Sequence, residues 1–495
     1  MVIPTARSVV VRTLTTLMVA ATLSAVELAA VWSDHAVVQA DVPLTVWGWG
    51  TPGERITVRL GNQVVGTTEV DAAKTWHVAL PVQKAGALPD LTVQGATTLT
   101  VTDLQAGEVW LCAGQSNMDV RLSSAENAQA DIAAAEDSGL RVFHEGNGRS
   151  DTPMVRCKGA WVPSSPATAG KASAVAWCFA RHLRKALGRP VGVLVTAVGG
   201  TPITAWTPAP VLAADTGLQD LIREAQAASE RLKAAGPPAK GPASADAISA
   251  KNLNLQDQAT LYQGKIHPLE PWPIRGVLWY QGEADSYRGA YYATLLRGLI
   301  GGWRAGRAAE VPFIIVGLPG YGSPAQPMDR DGRSFSLVRE SQQRVARDLP
   351  GVGVIAAVDL GEAGNIHPRR KQEVGRRAGL WAEQHVYGRQ VVSAGPGFGT
   401  AAYAPGRVEV PLTGESVGAR LTGPGGFQVA GEDRVFVAAT ATVREGSVIL
   451  EAPGVAQPVA WRYAFTNTPP CPLVNGAGLP TLPHRSDDWP LQPAH

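Results

Sequence analysis

Five short and almost uninterrupted apolar runs constrain the fold of this 495-residue chain more than any other feature. They lie at 108–113, 191–196, 276–280, 312–318 and 353–358. A strand that is apolar at nearly every position is typically buried on both faces, as in a parallel sheet covered by helices. Helical patterns lie between these runs, for instance over 174–186, 291–304 and 337–348. The alternation predicts an α/β domain with a parallel sheet and an active site at the carboxyl ends of its strands.

Two regions of short strands flank this pattern. Residues 26–105 alternate β-branched or aromatic runs with Gly, Pro and Asn turns, which predicts a small sandwich-like β domain. Short strands return over 391–495 and predict a C-terminal β-rich module. The catalytic domain is therefore assigned to 106–390. A segment at about 212–258, rich in Ala, Gln, Glu and Lys, is interpreted as a mostly helical insertion with a flexible, exposed centre.

The first 25 residues have the pattern of a secretory signal peptide. Arg7 and Arg12 precede an apolar stretch over 14–25, and small residues lead out of it. The alternative is an uncleaved membrane anchor, but the stretch is shorter than the about 20 residues that a span needs. We therefore expect a periplasmic or extracellular protein with no membrane association after signal cleavage.

Charge and cysteine content argue against two kinds of site. The formal net charge is +2 and no strong Lys/Arg run appears, so a nucleic-acid partner is not expected. The four cysteines have no Cys-x-x-Cys spacing, so a thiolate metal site is not predicted. No cofactor is predicted either. In an exported protein the four allow more than one disulfide pairing, and the sequence does not choose among these. Oligomeric state also stays open.

Four strand ends carry groups suited to acyl transfer. Ser116 follows the first buried strand, before a predicted helix start whose free N–H groups stabilise negative oxygen. Gly200, in a glycine pair after the second strand, offers an accessible backbone donor. Gln281 follows the third strand and has amide protons to donate. His367 follows the last strand, where a neutral imidazole can take the serine proton.

Each of these residues also has a purely structural interpretation. Serine is a favoured helix cap, paired glycines make tight turns, and histidines are common in surface loops. Glu283 and Asp285 are interpreted as carboxylates that hold loops rather than as catalytic groups. The succession of nucleophile, two oxyanion donors and base on four strand ends nevertheless favours a serine esterase.

Four blocks of the sequence resemble the bacterial sialate O-acetylesterases, which belong to the SGNH (GDSL-like) hydrolases. The blocks are GQSNM at 114–118, GGTPITAW at 199–206, WYQGE at 279–283, and IHP at 366–368 with KQEVGRR at 371–377. The resemblance implies a three-layer α/β/α domain and metal-free acyl transfer from an acetylated glycan through an acetyl-enzyme. It also implies Ser116 as nucleophile, His367 as base, and an oxyanion hole made by the N–H groups of Ser116 and Gly200 and the side chain of Gln281.

One position departs from the family pattern. Related hydrolases carry an aspartate two or three residues before the histidine, where this chain has Asn365 and Gly364. The remaining candidates to orient His367 are Asn365, Glu362, Asp359 or a main-chain carbonyl, and a Ser–His pair without an acid is the alternative. On this basis Asn365→Asp is expected to leave activity equal or raised.

Two competing functions and the choice of glycan stay open. An α/β-hydrolase lipase would require Gly-x-Ser-x-Gly, but Met118 occupies the position of the second glycine. A carbohydrate-binding protein that has lost catalysis fits the flanking β modules, the 14 Trp residues and the missing aspartate. The substrate alternatives are sialic acid, xylan, xyloglucan and other acetylated plant polysaccharides. A sialate carboxylate calls for an arginine, and Arg121, Arg288 and Arg339 lie near the motifs.

Overall fold

A computed structural model of the protein describes residues 25–236, 244–251, 258–307, 310–452 and 454–491. The predicted signal peptide, except for Ala25, lies outside the described residues, as do parts of the centre of the predicted insertion. Within the described ranges no helix combines the length and the apolar character that crossing a bilayer requires.

The described chain begins with short strands that form two small antiparallel sheets. The strands are β1 (Glu27–Leu28), β2 (Val37–Gln39), β3 (Leu44–Trp49), β4 (Arg55–Leu60), β5 (Gln63–Glu69), β6 (Thr75–Leu80), β7 (Gly86–Ala87), β8 (Leu91–Gln94), β9 (Thr98–Val101) and β10 (Gln105–Gly114). One sheet has the order β1-β3-β6 and the other β5-β4-β8-β9, whereas β2 and β7 pair with the start of β10. Buried Val46 and Val58 alternate with more exposed neighbours, as expected of strands with one face in a core.

Strand β10 continues into the central sheet. The further strands are β11 (Asp137–His144), β12 (Trp161–Ser164), β13 (Val191–Ala197), β14 (Gly276–Tyr280), β15 (Phe313–Val316) and β16 (Val352–Ile355). Their order is β12-β11-β13-β10-β14-β15-β16, and every pair is parallel except that of β12 with β11. The chain builds β11 and β13 on one side of β10 and β14 to β16 on the other. Strand β10 therefore ends at a topological switch point, where α/β sheets bind ligands.

Helices cover the central sheet. Their bounds are α1 (Ser116–Asp119), α2 (Ala128–Ala133), α3 (Ala174–Leu187), α4 (Ala209–Ala214), α5 (Thr216–Ala235), α6 (Ala245–Ala250), α7 (Tyr292–Ala305), α8 (Phe335–Asp348) and α9 (Lys371–His385). Helices α3 and α9 pack together, as do α7 and α8. Strands β14 and β15 are buried at every residue, because both faces of the sheet are covered. The predicted α/β class with a parallel sheet is confirmed.

The residues after α9 form a β-rich region with a hydrophobic core of its own. Its strands are β17 (Pro396–Phe398), β18 (Ala402–Ala404), β19 (Arg407–Gly414), β20 (Arg420–Leu421), β21 (Phe427–Ala430), β22 (Val437–Ala438), β23 (Thr440–Arg444), β24 (Ser447–Glu451), β25 (Ala460–Tyr463), β26 (Leu473–Val474) and β27 (His484–Arg485). Val408, Phe427 and Trp461 belong to this core. By contrast, the N-terminal strands and the α/β part share one continuous core.

Candidate active site

The carboxyl ends of β10 and β16 bring Ser116 and His367 together. Ser116 Oγ lies 2.8 Å from His367 Nε2, although the two residues are 251 positions apart. Ser116 is half-buried and His367 is exposed, so the pair opens to solvent. A serine hydroxyl within hydrogen-bond distance of an imidazole can pass its proton to that ring while it attacks an ester.

The residues around the serine hold it between two neighbouring loops. Gly114 has φ +148°, and a Cβ there would lie 2.1 Å from the carbonyl oxygen of Tyr280, so the close approach of β10 and β14 requires glycine. The Gln115 N–H donates to that same carbonyl at 3.1 Å. Gln115 Oε1 accepts the N–H groups of Gly282 and Ala284 at 3.4 and 3.3 Å. The serine is thus anchored to the loop that follows β14.

The glycine pair after β13 lies next to the serine. Ser116 is the first residue of α1, so its N–H has no partner within that helix. The glycine pair approaches it closely, because a Cβ on Gly199 would lie 3.4 Å from Ser116 Cβ. Gly200 is exposed and adopts φ +70°, a conformation that favours glycine. With no side chains at 199 and 200, the backbone next to the serine is accessible to a substrate.

The structure places the Gln281 side chain differently from the prediction. Its Nε2 donates both amide protons inside the protein, to the Thr201 carbonyl at 3.0 Å and to Asp285 Oδ2 at 2.5 Å. Its Oε1 accepts a hydrogen bond from the Tyr292 hydroxyl at 2.8 Å. Because the amide is fully buried and both protons are used, it offers none to a substrate in this arrangement. Gln281 holds the residue that follows Gly200 instead.

Asp285 has the loop-holding role expected of it from the sequence. Asp285 Oδ2 also accepts the Ile203 N–H at 2.9 Å, so it fixes the turn after the glycine pair. Its Oδ1 pairs with Arg288 Nε at 3.0 Å. Both members of that ion pair are buried.

The three predicted orienting groups for His367 have different places. Asp359 forms a two-pronged ion pair with Arg377, at 2.7 Å for each contact, and does not reach the imidazole. Asn365 Oδ1 accepts the His367 N–H at 3.0 Å, and Asn365 Nδ2 donates to the His367 carbonyl at 3.0 Å and to Glu362 Oε2 at 3.2 Å. Among the described residues, no hydrogen bond to His367 Nδ1 is found. Asn365 and Glu362 therefore hold the main chain of the base loop, residues 361–370, rather than the ring.

Electrostatic conditions at the base loop favour a neutral histidine and a charged glutamate. Burial, together with the positive charge of Lys371, lowers the pKa of His367 from its ordinary value of 6.5. The Arg369 N–H and the Asn365 amide hold the pKa of Glu362 below its ordinary value. At neutral pH His367 is thus available to accept a proton, while Glu362 is anionic.

A buried polar cluster of Asn117, Glu283 and Lys371 lies beneath the Ser–His pair, and only Glu283 was singled out from the sequence. Asn117 Nδ2 donates to Glu283 Oε1 and, at 2.9 Å, to the Ile366 carbonyl, and Asn117 Oδ1 accepts a hydrogen bond from Lys371 Nζ. Asn117 and Lys371 are almost completely inaccessible to solvent. Burial lowers the pKa of Lys371 to about 8 and raises the pKa of Glu283. Such a cluster leaves no periodic pattern in the sequence, although Asn117 lies in the GQSNM block and Lys371 in the KQEVGRR block.

Most of the other predicted candidates lie away from the substrate side. Arg339 is buried and donates to main-chain carbonyls of Leu318, Pro319, Thr466 and Asn467, so it does not face a substrate. Arg288 is buried with Asp285, whereas Arg121 is exposed just after α1.

None of the four cysteines, all of which are described, forms a disulfide. Within the described ranges no group of three or more His, Cys, Asp or Glu side chains is arranged to hold a metal ion.

Comparison with known proteins identifies a family for this chain. The chain matches the family model described as carbohydrate esterase, sialic acid-specific acetylesterase, over residues 106–236 and 247–379. It is 29% identical over 398 residues to the sialate O-acetylesterase of Rattus norvegicus, which covers 70% of each chain. The Homo sapiens enzyme of the same name is 29% identical over 379 residues, 70% of this chain and 68% of that one.

A solved structure resembles almost the whole chain. The crystal structure of a carbohydrate acetylesterase from Xanthomonas citri has a TM-score of 0.82 and 32% sequence identity. The match covers 94% of this chain and 100% of that one. The family match spans the strand ends that carry Ser116 and His367. This chain is therefore an esterase and belongs to the sialic acid-specific acetylesterase family of carbohydrate esterases.

Proposed function

We propose that this protein removes acetyl groups from an acetylated glycan, with Ser116 as nucleophile and His367 as base. The observation that carries the proposal is the 2.8 Å contact between Ser116 Oγ and His367 Nε2 at the switch point of the sheet. Because His367 is exposed, a substrate that extends well beyond the acetyl group, such as a glycan, can reach the Ser–His pair. The candidate substrates are O-acetylated sialic acid and acetylated plant polysaccharides such as xylan or xyloglucan.

The proposed reaction has two stages, acetylation of Ser116 and hydrolysis of the acetyl-enzyme. Ser116 Oγ attacks the acetyl carbonyl while His367 Nε2 takes its proton, and the N–H groups of Ser116 and Gly200 stabilise the oxyanion. His367 then returns the proton to the departing sugar oxygen, which leaves an acetyl-Ser116 ester. Water then attacks the ester carbonyl while His367 takes its proton, the bond between the carbonyl carbon and Oγ breaks, and His367 returns the proton to Ser116 Oγ as acetic acid leaves and ionises to acetate. Gln281 acts indirectly in this proposal, by holding Thr201 and so the Gly200 backbone.

The test compares acetate release across a panel of acetylated glycans and p-nitrophenyl acetate. Ser116→Ala is expected to abolish turnover while the protein stays folded. Ser124→Ala, a nearby exposed serine, is the matched control and should keep wild-type turnover. Unchanged turnover of the Ser116→Ala variant would reject Ser116 as nucleophile. The panel also identifies the glycan, because the preferred sugar should be deacetylated with a higher kcat/KM than the other acetylated glycans.

A catalytically weakened carbohydrate-binding protein is the second candidate. The absence of a described hydrogen-bond partner for His367 Nδ1 favours it, since an orienting acid stabilises the imidazolium that forms during turnover. Labelling of Ser116 by a serine-reactive phosphonate, or an acetyl-Ser116 adduct in mass spectrometry, would support the esterase. Failure of both on a folded sample that still binds glycan would favour the binding protein.

We further propose that the protein acts in the periplasm or outside the cell, on the basis of its N-terminal segment.

A further inference from the structure

One hydrogen bond, buried at its Asn117 end, joins the immediate neighbours of the two catalytic residues. Asn117 follows Ser116, Ile366 precedes His367, and Asn117 Nδ2 lies 2.9 Å from the Ile366 carbonyl oxygen. Asn117 is inaccessible to solvent, so water does not compete for its hydrogen bonds. The distance between the serine oxygen and the imidazole therefore depends on a contact one residue away from each.

Lys371 fixes which way the Asn117 amide points. An ammonium group can only donate, so the amide oxygen must face Lys371 Nζ. The NH₂ group is then directed to its two acceptors, Glu283 Oε1 and the Ile366 carbonyl. A flipped amide would place a donor against the ammonium and its oxygen against two acceptors. The cluster thus admits one orientation.

We infer that Asn117 is a positioning residue that holds His367 against Ser116, and that Lys371 and Glu283 hold Asn117 in the orientation this requires. The inference rests on the proposed function. In serine hydrolases with a triad, an acid bonded to Nδ1 orients the histidine. In the part of the chain that the structure describes, His367 is instead held through its main chain, by Asn365 at its own N–H and carbonyl and by Asn117 at the preceding carbonyl.

Lys371 also carries charge into the site. The groups that face it are Asn117 from α1, Glu283 from the turn after β14, Glu362 and His367 from the base loop, and the ring of Tyr280, whose centroid is 5.2 Å from Nζ. The two glutamates favour its protonated form and burial opposes it. Its charge disfavours a second positive charge on His367, so removing it should raise the pKa of the base.

Asn117→Asp tests the positioning role, because the replacement has nearly the same shape but no amide protons. It loses the donor to Ile366 and sets a carboxylate against Glu283. We expect kcat to fall by about a hundredfold, the scale that a misplacement of about 1 Å can produce, with KM little changed. The matched control is Asn475→Asp in the C-terminal region. Asn475 is equally buried and donates to the carbonyls of Ala394 and Glu415, so that variant should keep wild-type kcat.

Three further variants, at two positions, keep the inference testable if Asn117→Asp does not fold. Glu283→Ala removes an acceptor of Asn117, whereas Glu283→Gln keeps an oxygen in reach, so the alanine variant should lose more of its kcat than the glutamine variant. Lys371→Met should move the acid limb of the kcat/KM profile to higher pH, which loss of packing alone would not do. Equal kcat in the two Glu283 variants, or an unmoved limb, would overturn the roles given to those residues.

The outcomes separate this inference from the proposed function. If Ser116→Ala keeps full acetate release, the proposed function fails and the inference fails with it. If Ser116→Ala is inactive but Asn117→Asp turns over as fast as Asn475→Asp, the esterase mechanism stands and the positioning role is overturned.

Discussion

The Asn365→Asp variant separates two expectations for the base loop, one drawn from the family pattern and one from the hydrogen bonds of Asn365. The family pattern predicts that an aspartate near this position supplies the missing acid and leaves activity equal or raised. In the structure, Asn365 Nδ2 instead donates to Glu362 Oε2 at 3.2 Å and to the His367 carbonyl at 3.0 Å. The carboxylate would place an acceptor against two acceptors, so we expect the variant to lose activity.

The size of the loss follows from the contacts. Each lost hydrogen bond is worth about 1 kcal/mol. Glu362 is anionic but partly exposed, so repulsion between the two carboxylates adds only about 1 kcal/mol. The base loop is then destabilised by roughly 2 to 3 kcal/mol in its productive conformation, because these terms are only partly additive. Since about 1.4 kcal/mol is tenfold in rate, kcat/KM should fall roughly thirty- to a hundredfold.

The assay is kcat/KM for acetate release at neutral pH, with thermal melting to show that the fold persists. Glu362→Gln in the Asn365→Asp background should recover most of the loss, because the new amide donates to the new carboxylate. Activity of the single variant at or above wild type would refute the reasoning and would show that an acid here does orient His367. A double variant no better than the single one would contradict the role assigned to Glu362.

Two further outcomes follow from the site. The lowered pKa of His367 keeps the imidazole neutral as the pH falls past 6.5, so the acid limb of kcat/KM should have its midpoint below 6.5, and a midpoint above this value would contradict the assignment. Gly114→Ala should destabilise the protein by more than about 4 kcal/mol, because the new methyl meets the Tyr280 carbonyl and the residue has φ +148°. The control is Gly364→Ala, where an added Cβ would have no atom within 4 Å, so the free energy of unfolding should change by less than about 0.5 kcal/mol. Equal melting temperatures for the two variants would rule out the close approach of β10 and β14.

The sequence predicts the location of the candidate site better than its details. The central strands are almost entirely apolar and parallel, so their carboxyl ends lie at one edge of the sheet, which places Ser116 and His367 on the same side of the domain. Strands β14 and β15 lie between β10 and β16, so it is the base loop after β16 that brings His367 to the serine. The direction of a side chain at a strand end is not encoded in the same way. Gln281 comes directly after β14 as predicted, yet its amide turns inward because Thr201 and Asp285 supply acceptors in the interior.

Buried polar contacts between distant segments explain the other differences. Asp359 was a candidate to orient His367, but Arg377 on α9 offers it a two-pronged partner that no local pattern reveals. Asn117 and Lys371 are 254 positions apart and meet only after the sheet has formed. In a sequence, a lysine near a helix start is usually interpreted as exposed to solvent. Nothing in the sequence around Lys371 indicates that its side chain is inaccessible to water.

The double pairing of β10 bears on how this enzyme can vary through gene rearrangement. The strand that leads to Ser116 first pairs with β2 and β7, and Gln39 on β2 accepts the Val109 N–H at 2.9 Å. A recombined gene that exchanged the N-terminal strands for unrelated ones would therefore alter the support of the nucleophile itself. The C-terminal β region has a separate core, so its residues can diverge with less effect on the serine. Substitutions in the core of that region are accordingly expected to perturb the nucleophile less than substitutions before residue 105.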